Sequence, residues 1–320
     1  MFKQTTSNTF IEAFRESPLG FIIGIIDYLI SIIKNPKILL RNIKQQPTMA
    51  SGIIIIVLMI IISLFSPILM TYDPNDVEMD DRFQPPGEKS EETGRTYWFG
   101  SDAFGRDIYS RTIDGGKVSL FIGFAVASLS VLLGAIFGSI AGYFRMIDSV
   151  LMRVMDGIMA IPSLLLAIAL MMLLQPGVWT VITAIVIVDT PRMTRVARAS
   201  VLSLREQVYI EAAKAAGAGY VRIIGRHIIP NLIAPLIIMG TFVAAGAMLT
   251  EAYLSFLGAG VPPSTQATWG NVMAEGRGFI HKAMWVIFYP GLFLAIAVTS
   301  INLMGDGLRD MLDPKLRRRL

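Results

Sequence analysis

Residues 50–70 read ASGIIIIVLMIIISLFSPILM, an apolar run of 21 residues without a charged side chain. A helix rises about 1.5 Å per residue, so this run would be about 31 Å long, close to the thickness of a bilayer core. We therefore interpret residues 50–70 as the first membrane-spanning helix.

Four further apolar runs are long enough to cross a bilayer with some tilt, and they cover residues 118–143, 150–174, 232–256 and 285–303. A shorter run at 177–188 ends at Asp189 and Pro191. We interpret it as the fourth span, whose lower part continues as a polar helix buried in protein. The pattern predicts an all-α integral membrane protein with six transmembrane helices, in which residues 118–306 form a five-helix core.

The composition agrees with a membrane protein, since 53% of the residues are hydrophobic and only 16% are charged. Soluble domains usually carry more charge than this. Cysteine is absent, which excludes a disulfide framework and a thiolate metal site. The net charge of +4 comes from basic residues beside the apolar runs, so we expect a lipid bilayer and no nucleic acid as partner.

The charge distribution predicts the orientation, because Lys and Arg collect in cytoplasmic segments. Two segments are rich in them: Lys34, Lys37, Arg41 and Lys44 before the first span, and Arg192, Arg195, Arg198, Arg205, Lys214, Arg222 and Arg226 between the fourth and fifth. Residues 71–117 carry eleven acidic and six basic residues and are expected to be extracytoplasmic. With a basic tail at 317–319 also inside, both termini are predicted to be cytoplasmic.

The segments outside the core are predicted from length and composition. Residues 1–49 form a cytoplasmic segment, in which 19–33 is too short for a span, contains Asp27 and is interpreted as an interfacial helix. A cleaved signal peptide is the alternative, although no small-x-small site follows this run. Residues 73–94, with three prolines and Gly87, are predicted to be loop, and 307–320 a cytoplasmic tail.

Three glycines in the second span lie four residues apart, at Gly134, Gly138 and Gly142. This spacing places them on one helix face and lets another helix approach closely inside lipid. The pattern is common in membrane helices and says nothing about cargo.

Residues 209–231 read YIEAAKAAGAGYVRIIGRHIIPN and predict two short helices with a bend. The alanine-rich helix is predicted to stop at Gly217 and the second helix before Pro230. Gly217 is expected in the left-handed conformation, where a bulky residue would cost roughly 1–2 kcal/mol. On these residues alone, the elbow either seats in a partner protein or lies on lipid as a basic amphipathic loop.

The sequence contains no nucleotide cradle. Lys117 follows two glycines but precedes Val118, and Arg111 stands where a P-loop would begin with glycine. If the protein depends on ATP, another chain must bind it.

Other polar candidates do not form a recognisable site. HExxH, CxxC and EF-hand spacings are absent, and the predicted topology places His227 and His281 on opposite sides of the membrane. Asp189 and Glu251 lie near predicted span ends, where water or loops can solvate them. We therefore expect no metal or cofactor in this chain.

Five ordered blocks resemble the permeases of ABC importers. The residues Glu211, Ala212, Ala213, Gly217, Ile229 and Pro230 resemble the EAA loop, whose helix seats in a cleft of the cytoplasmic ATPase. Four further blocks resemble the C-type permease of the oligopeptide and dipeptide branch: residues 98–111 (WFGSDAFGRDIYSR); Asp148, Arg153, Asp156 and Pro162; residues 251–263 (EAYLSFLGAGVPP) with Trp269 and Gly270; and residues 302–316. Together the blocks cover roughly residues 50–316.

The resemblance implies a type I ABC importer permease in a bacterial plasma membrane, a non-catalytic subunit without a cofactor of its own. It would pair with a homologous second permease, two cytoplasmic ATPase subunits that bind ATP, and an extracytoplasmic solute-binding protein. The coupling role falls on loop 206–230. Closure of the ATPases would move this loop and drive alternating access.

Alternatives remain open at this stage. An ion-coupled secondary carrier would keep its uptake without the ATPase and lose it with an uncoupler, but such carriers usually place charged groups in mid-membrane. A membrane scaffold or sensor would show no cargo flux. Within the importer class, the cargo could be a nickel chelate, glutathione or haem instead of a peptide.

Overall fold

The computed structural model describes residues 47–312, and the surroundings of side chains for 47–310. The predicted interfacial helix, nearly all of the predicted N-terminal segment and the basic tail at 317–319 lie outside the described residues. The described chain is helical and contains no β-strand. Its α-helices are α1 Pro47–Leu64, α2 Ser66–Leu69, α3 Ile108–Tyr143, α4 Arg145–Met159, α5 Ser163–Leu173, α6 Val178–Leu204, α7 Val208–Ala215, α8 Tyr220–Ile223, α9 Ile229–Phe256, α10 Trp269–Gly276 and α11 Trp285–Leu312.

The predicted first span consists of α1 and the short α2. Pro67 lies in the first turn of α2, where the missing N–H of proline is not needed. α1 packs closely against α11 because a Cβ atom added at Gly52 would lie only 2.5 Å from the carbonyl oxygen of Ser300. The first span is therefore attached to the bundle through the last helix.

α3 is longer than predicted. It begins at Ile108, which corrects the assignment of 71–117 as one loop. The Asp107 carboxylate caps the helix by accepting two backbone N–H groups of the first turn. The charge of Arg111 does not end the helix, because this side chain is fully buried in an ion pair with Glu275.

The segment predicted as the span 150–174 is broken in the structure. α4 and α5 meet at an angle of 88°. Pro162 precedes α5 and disfavours a helical conformation for Ile161, which explains the break. Among the described residues, four helical segments are long and apolar enough to cross a membrane, and the bent pair would make five.

α6 is one continuous helix that contains the predicted run 177–188 and its polar continuation. Pro191 does not interrupt it. Thr190 and Thr194 are buried, and each hydroxyl donates to the carbonyl oxygen one turn earlier, at 2.7 and 2.8 Å. α6 is not among the four segments above, since its second half carries several arginines.

α3 and α6 pack side by side in parallel, and the three glycines form their contact. Gly134, Gly138 and Gly142 lie opposite Met193, Ala197 and Val201. A Cβ atom at Gly134 would lie 2.5 Å from the Met193 Cβ, and one at Gly142 would lie 2.6 Å from the Val201 Cβ. The predicted close helix approach is confirmed, and its partner is α6.

The bundle has two distinct ends. We call the connection at one end, residues 71–107, the cap, and the connection at the other end, residues 205–230, the elbow. α9 runs antiparallel to α3, since Gly123 lies against Met248 and Gly240 lies against Val131. α11 runs antiparallel to α9, because α9 follows the elbow whereas α11 begins beside the cap, where Tyr289 stacks on Phe99 at 4.0 Å between ring centroids. The start of α1 and the end of α11 therefore lie toward the elbow end.

A buried carboxylate organises the cap. Asp81 accepts hydrogen bonds from the hydroxyls of Ser90, Thr93 and Tyr97, the last at 2.8 Å. Burial raises the pKa of Asp81, but the three hydrogen bonds outweigh it and leave the pKa below the ordinary value of 3.8. Burial and the neighbouring carboxylate raise the pKa of the Tyr97 hydroxyl.

A second buried cluster joins the cap to α3 and α10. Arg111 Nη2 lies 2.7 Å from Glu275 Oε2, while Arg106 Nη2 lies 2.6 Å from Asp102 Oδ2 and 2.9 Å from Glu275 Oε1. The two positive and two negative charges balance. Removing any one of them would leave the cluster with one uncompensated charge, so the cluster holds the cap to the bundle.

Glu251 is solvated by protein groups rather than water, which is one of the two environments expected near a span end. The side chain is fully buried in α9. Its Oε1 accepts hydrogen bonds from the hydroxyls of Ser255 and Thr268, both at 2.8 Å. The carboxylate thus connects α9 to the N-terminal cap of α10, which is a structural role.

Candidate functional site

The elbow stands on three buried isoleucines. Ile210 in α7, Ile223 in α8 and Ile228 just before α9 are fully buried and belong to the main core of the bundle. The ring of Tyr220 packs edge-on against Phe144 at 5.7 Å between centroids. One buried side chain therefore anchors each short helix, and the remaining elbow surface is largely exposed.

The turn of the elbow is a Schellman motif at the end of α7. The N–H of Gly217 donates to the Lys214 carbonyl oxygen at 2.9 Å, and that of Ala218 to the Ala213 carbonyl oxygen at 3.0 Å. Gly217 has a φ of +79°, which confirms the predicted left-handed conformation. A Cβ atom there would meet no atom within 4 Å, so backbone conformation alone favours glycine.

The residues of the predicted motif that lie in and after α7 face away from the core. Glu211, Ala212 and Gly217 are exposed, and Ala213 is partly buried. Glu211 lies in the first turn of α7, where the helix dipole favours a carboxylate. Within the described part of the chain, its carboxylate makes no hydrogen bond or ion pair.

Ile229 and Pro230 lie in the first turn of α9, and the predicted helix end before Pro230 is wrong. α8 continues through a π-helical turn, Ile224–Ile228, so Tyr220–Phe256 forms one helical segment. The N–H of Ile229 donates to the carbonyl oxygen of Ile224, five residues earlier. This wide turn accommodates Pro230, which has no N–H of its own for the helix ladder.

Four exposed apolar side chains flank the Gly217 turn and were missed by the motif: Val208, Tyr209, Tyr220 and Val221. Val208 is 79% exposed and Val221 is 72% exposed. Large exposed apolar groups on both sides of a turn are suited to contact with a partner protein or with lipid. The sequence shows these residues as apolar, but only the fold separates them from Ile210 and Ile223, which face the core.

The histidines and acidic residues do not assemble a metal site within the described residues, where no group of three or more potential ligands is suitably placed. His227 lies on the elbow, and its ring centroid is 6.2 Å from that of Tyr209. The features that distinguish the elbow are therefore its backbone turn and its exposed side chains.

Comparison with known proteins identifies the class. Residues 130–318 match the family described as binding-protein-dependent transport system inner membrane component. Residues 37–86 match the N-terminal transmembrane domain of oligopeptide transport permease C. Together with the apolar helix bundle, these matches define a multi-pass membrane permease.

Two relatives identify the branch of permeases to which the chain belongs. A putative peptide transport system permease protein of Brucella suis is 44% identical over 89% of this chain and 94% of its own length. The oligopeptide transport system permease protein OppC of Bacillus subtilis is 40% identical over 83% of this chain and 85% of its own. The chain belongs to the C-type branch of the peptide ABC-transporter permease family, as its sequence blocks predicted.

A solved structure supports the fold. The methionine ABC transporter MetNI, in inward-facing conformations, matches with a TM-score of 0.55 and 18% identity, over 64% of this chain and 98% of that chain. At this identity the match concerns the fold alone, and it agrees with the predicted type I importer permease.

Proposed function

We propose that this chain is one of two homologous permeases in an ATP-driven peptide importer. It lines the translocation path and has no catalytic centre or cofactor. Its relatives over more than four fifths of the chain are named as peptide, oligopeptide or dipeptide permeases. The observation that carries the coupling role is the elbow, which is anchored by three isoleucines and otherwise exposed.

In this proposal the chain crosses the membrane six times, with the elbow on the cytoplasmic side. The crossings are α1, α3, the bent pair α4 and α5, α6, α9 and α11. At about 1.5 Å per residue, the 27 residues of α6 are long enough to cross, and the arginines of its second half would be cytoplasmic. Both chain termini would then be cytoplasmic.

The elbow is proposed to seat in the cleft of an ATPase subunit. Glu211, Ala212, Ala213 and Gly217 would enter the cleft, and the flanking apolar side chains would be covered by it. Ile229 and Pro230 would fix the start of α9 behind them. Because α6 leads into the elbow and α9 leads out of it, movement of the ATPases reaches the bundle through these two helices.

The remaining partners follow from the two ends. ATP would be bound by two cytoplasmic ATPase subunits, and a solute-binding protein would deliver cargo at the cap. Binding energy at one end would thereby change the population of inward-facing and outward-facing states at the other.

Replacement of Gly217 tests the proposal in the complete complex reconstituted in liposomes. Gly217→Leu should insert into the membrane normally, since no atom lies near the new side chain. The left-handed backbone at this position strains a leucine by roughly 1–2 kcal/mol. This strain should lower the fraction of complexes in which the elbow is seated in the ATPase, and with it ATP-driven peptide uptake, by about 5- to 30-fold.

Gly219→Leu is the matched control. Gly219 has a φ of −69° and also has free space around its Cβ position, so it tolerates a side chain. This variant should keep most of the uptake. Normal uptake by Gly217→Leu would contradict the role of the elbow.

A further inference from the structure

The second half of α6 is tied to its neighbours just before the elbow. Arg198 binds both carboxylate oxygens of Asp148 in α4, and the Nη2–Oδ2 distance is 2.6 Å. The Nη1 of Arg205, directly after α6, donates to the carbonyl oxygen of Gly142 in α3 at 3.1 Å. α7 begins only a few residues later. Any movement of the elbow therefore acts first on these contacts.

A second ion pair joins the same two helices, but it is weaker because it is more exposed to solvent. Arg195 Nη2 lies 2.5 Å from Asp156 Oδ1, but the two side chains are 46% and 58% exposed. The side chains of Arg198 and Asp148 are 32% and 20% exposed and meet in a two-point contact. Water screens exposed pairs strongly, and a bidentate arginine–carboxylate pair holds its geometry better. Asp148 and Arg198 therefore make the principal connection.

α4 has few other contacts that could hold it to α6. Met155 is its only buried residue, and all of α4 is described. Its apolar residues Met146, Val150 and Val154 are exposed, while Asp148 is directed toward α6. Apolar packing against the rest of this chain thus contributes little to the position of α4, and the ion pair matters correspondingly more.

α4 continues into α5 through the 88° bend at Pro162. α5 differs from α4 because it packs into the main core, with Ala167 and Met171 buried. The bent pair is therefore held at one arm by packing within the bundle and at the other by the ion pair beside the elbow. A displacement of α4 has to be taken up at the bend or by α5.

We propose that Asp148 and Arg198 are a positioning pair that makes α4, and through the bend α5, follow the elbow during each transport cycle. The pair would give the moving elbow a third route into the bundle, besides α6 and α9 themselves. This inference rests on the proposed function. It concerns the transmission of movement within the permease, whereas the elbow concerns the attachment of the ATPases.

The test is the number of peptides imported per ATP hydrolysed by the complete complex in liposomes. Asp148→Asn and Arg198→Gln should retain the ATPase subunits and the basal ATP hydrolysis. Both should lower peptides imported per ATP by about fivefold or more, the usual lower range for the coupling of two sites. Asp156→Asn, which removes the exposed pair, is the matched control and should change little.

The exchanged pair Asp148→Arg/Arg198→Asp distinguishes positioning from simple loss of structure. It should restore at least half of the coupling lost in the single variants. Arg198→Lys keeps the charge without the two-point contact and should be intermediate. Unchanged coupling in Asp148→Asn, or no restoration in an exchanged pair that assembles normally, overturns the proposal. Loss of ATPase binding in Gly217→Leu, by contrast, reports on the elbow.

Spin labels provide a second measurement that does not depend on transport. The chain has no cysteine, so Val150→Cys on α4 and Ile61→Cys on α1 supply its only thiols, and they are labelled before assembly with the other subunits. Both positions are exposed. The distance between the labels should change when the complex traps ATP, and Arg198→Gln should remove most of this change. An equal change with and without Arg198 overturns the proposal.

Discussion

The cap and the elbow are both irregular connections between spans, yet different kinds of buried side chain hold them in place. In the cap, Asp81 and Asp102 are buried and satisfied by partners within the chain. In the elbow, Glu211 is exposed, and so are large apolar residues such as Val221. Buried carboxylates with polar partners therefore hold the cap, whereas buried isoleucines anchor the elbow and leave its carboxylate exposed.

This difference predicts how the two regions respond to substitution. Changes in the cap should mainly affect the stability of the chain. Changes on the exposed elbow should leave stability almost unchanged and affect assembly with the ATPases. The following predictions are ordered by their expected effect on the free energy of unfolding.

The largest effect is expected for Asp102→Ala, because Arg106 and the fully buried Arg111 would lose a carboxylate. Breaking a buried ion pair at one partner costs about 3–5 kcal/mol. The loss should appear in the unfolding of the purified permease. Asp76→Ala is the control, since its pair with Arg95 has side chains 43% and 29% exposed and should contribute at most about 1 kcal/mol. Equal effects would show that the cap cluster is not special.

Ile210→Ala tests how the elbow is anchored. Removing a buried isoleucine side chain costs about 2–5 kcal/mol, and here the loss should be local. Hydrogen exchange of the amides in α7 should accelerate, while those of the cap remain protected. Val208→Ala, at an exposed neighbouring position, should leave exchange unchanged. Unchanged exchange in Ile210→Ala would mean that other contacts hold α7.

Asp81→Asn should remove about 1–3 kcal/mol, because three hydroxyl groups lose a charged acceptor. It should also change the pH dependence. The folded-state pKa of Asp81 is below 3.8, so its stabilising contribution is complete above that pH and is lost as pH falls through the folded pKa. The variant should lack this part of the acid destabilisation. Exposed Asp80→Asn should retain it.

The smallest effect on stability is expected for Val221→Asp, within about 0.5 kcal/mol, because the side chain is exposed. Copurification of the ATPase subunits should nevertheless fall, since the partner would have to bury the new charge. Val77→Asp makes the same change at an exposed apolar position of the cap and should not affect ATPase retention. Normal ATPase retention in Val221→Asp would show that the partner does not cover this surface.

Much of the helical framework follows from apolar runs, whereas the early start of α3 depends on a distant partner. The sequence placed a bend at Gly217, which the structure confirms, because a single left-handed residue suffices to end α7. It did not anticipate the ten extra helical residues at the start of α3, since charges such as Arg111 normally mark a span end. The carboxylate that pairs with the buried Arg111 belongs to Glu275, which is 164 residues further along the chain.

Sequence alone determined the membrane class, the helix-ending glycine of the elbow and the membership of the permease family, because these depend on local composition and ordered motifs. Only the tertiary structure decided the 88° break between α4 and α5, the continuous helix through Pro230 and which apolar residues of the elbow are exposed. Pro162 and Pro230 are visible in the sequence, but whether a proline breaks a helix or is accommodated by a wide turn depends on the surrounding packing, as does the exposure of each elbow residue. Such contacts leave no periodic signal in any one segment.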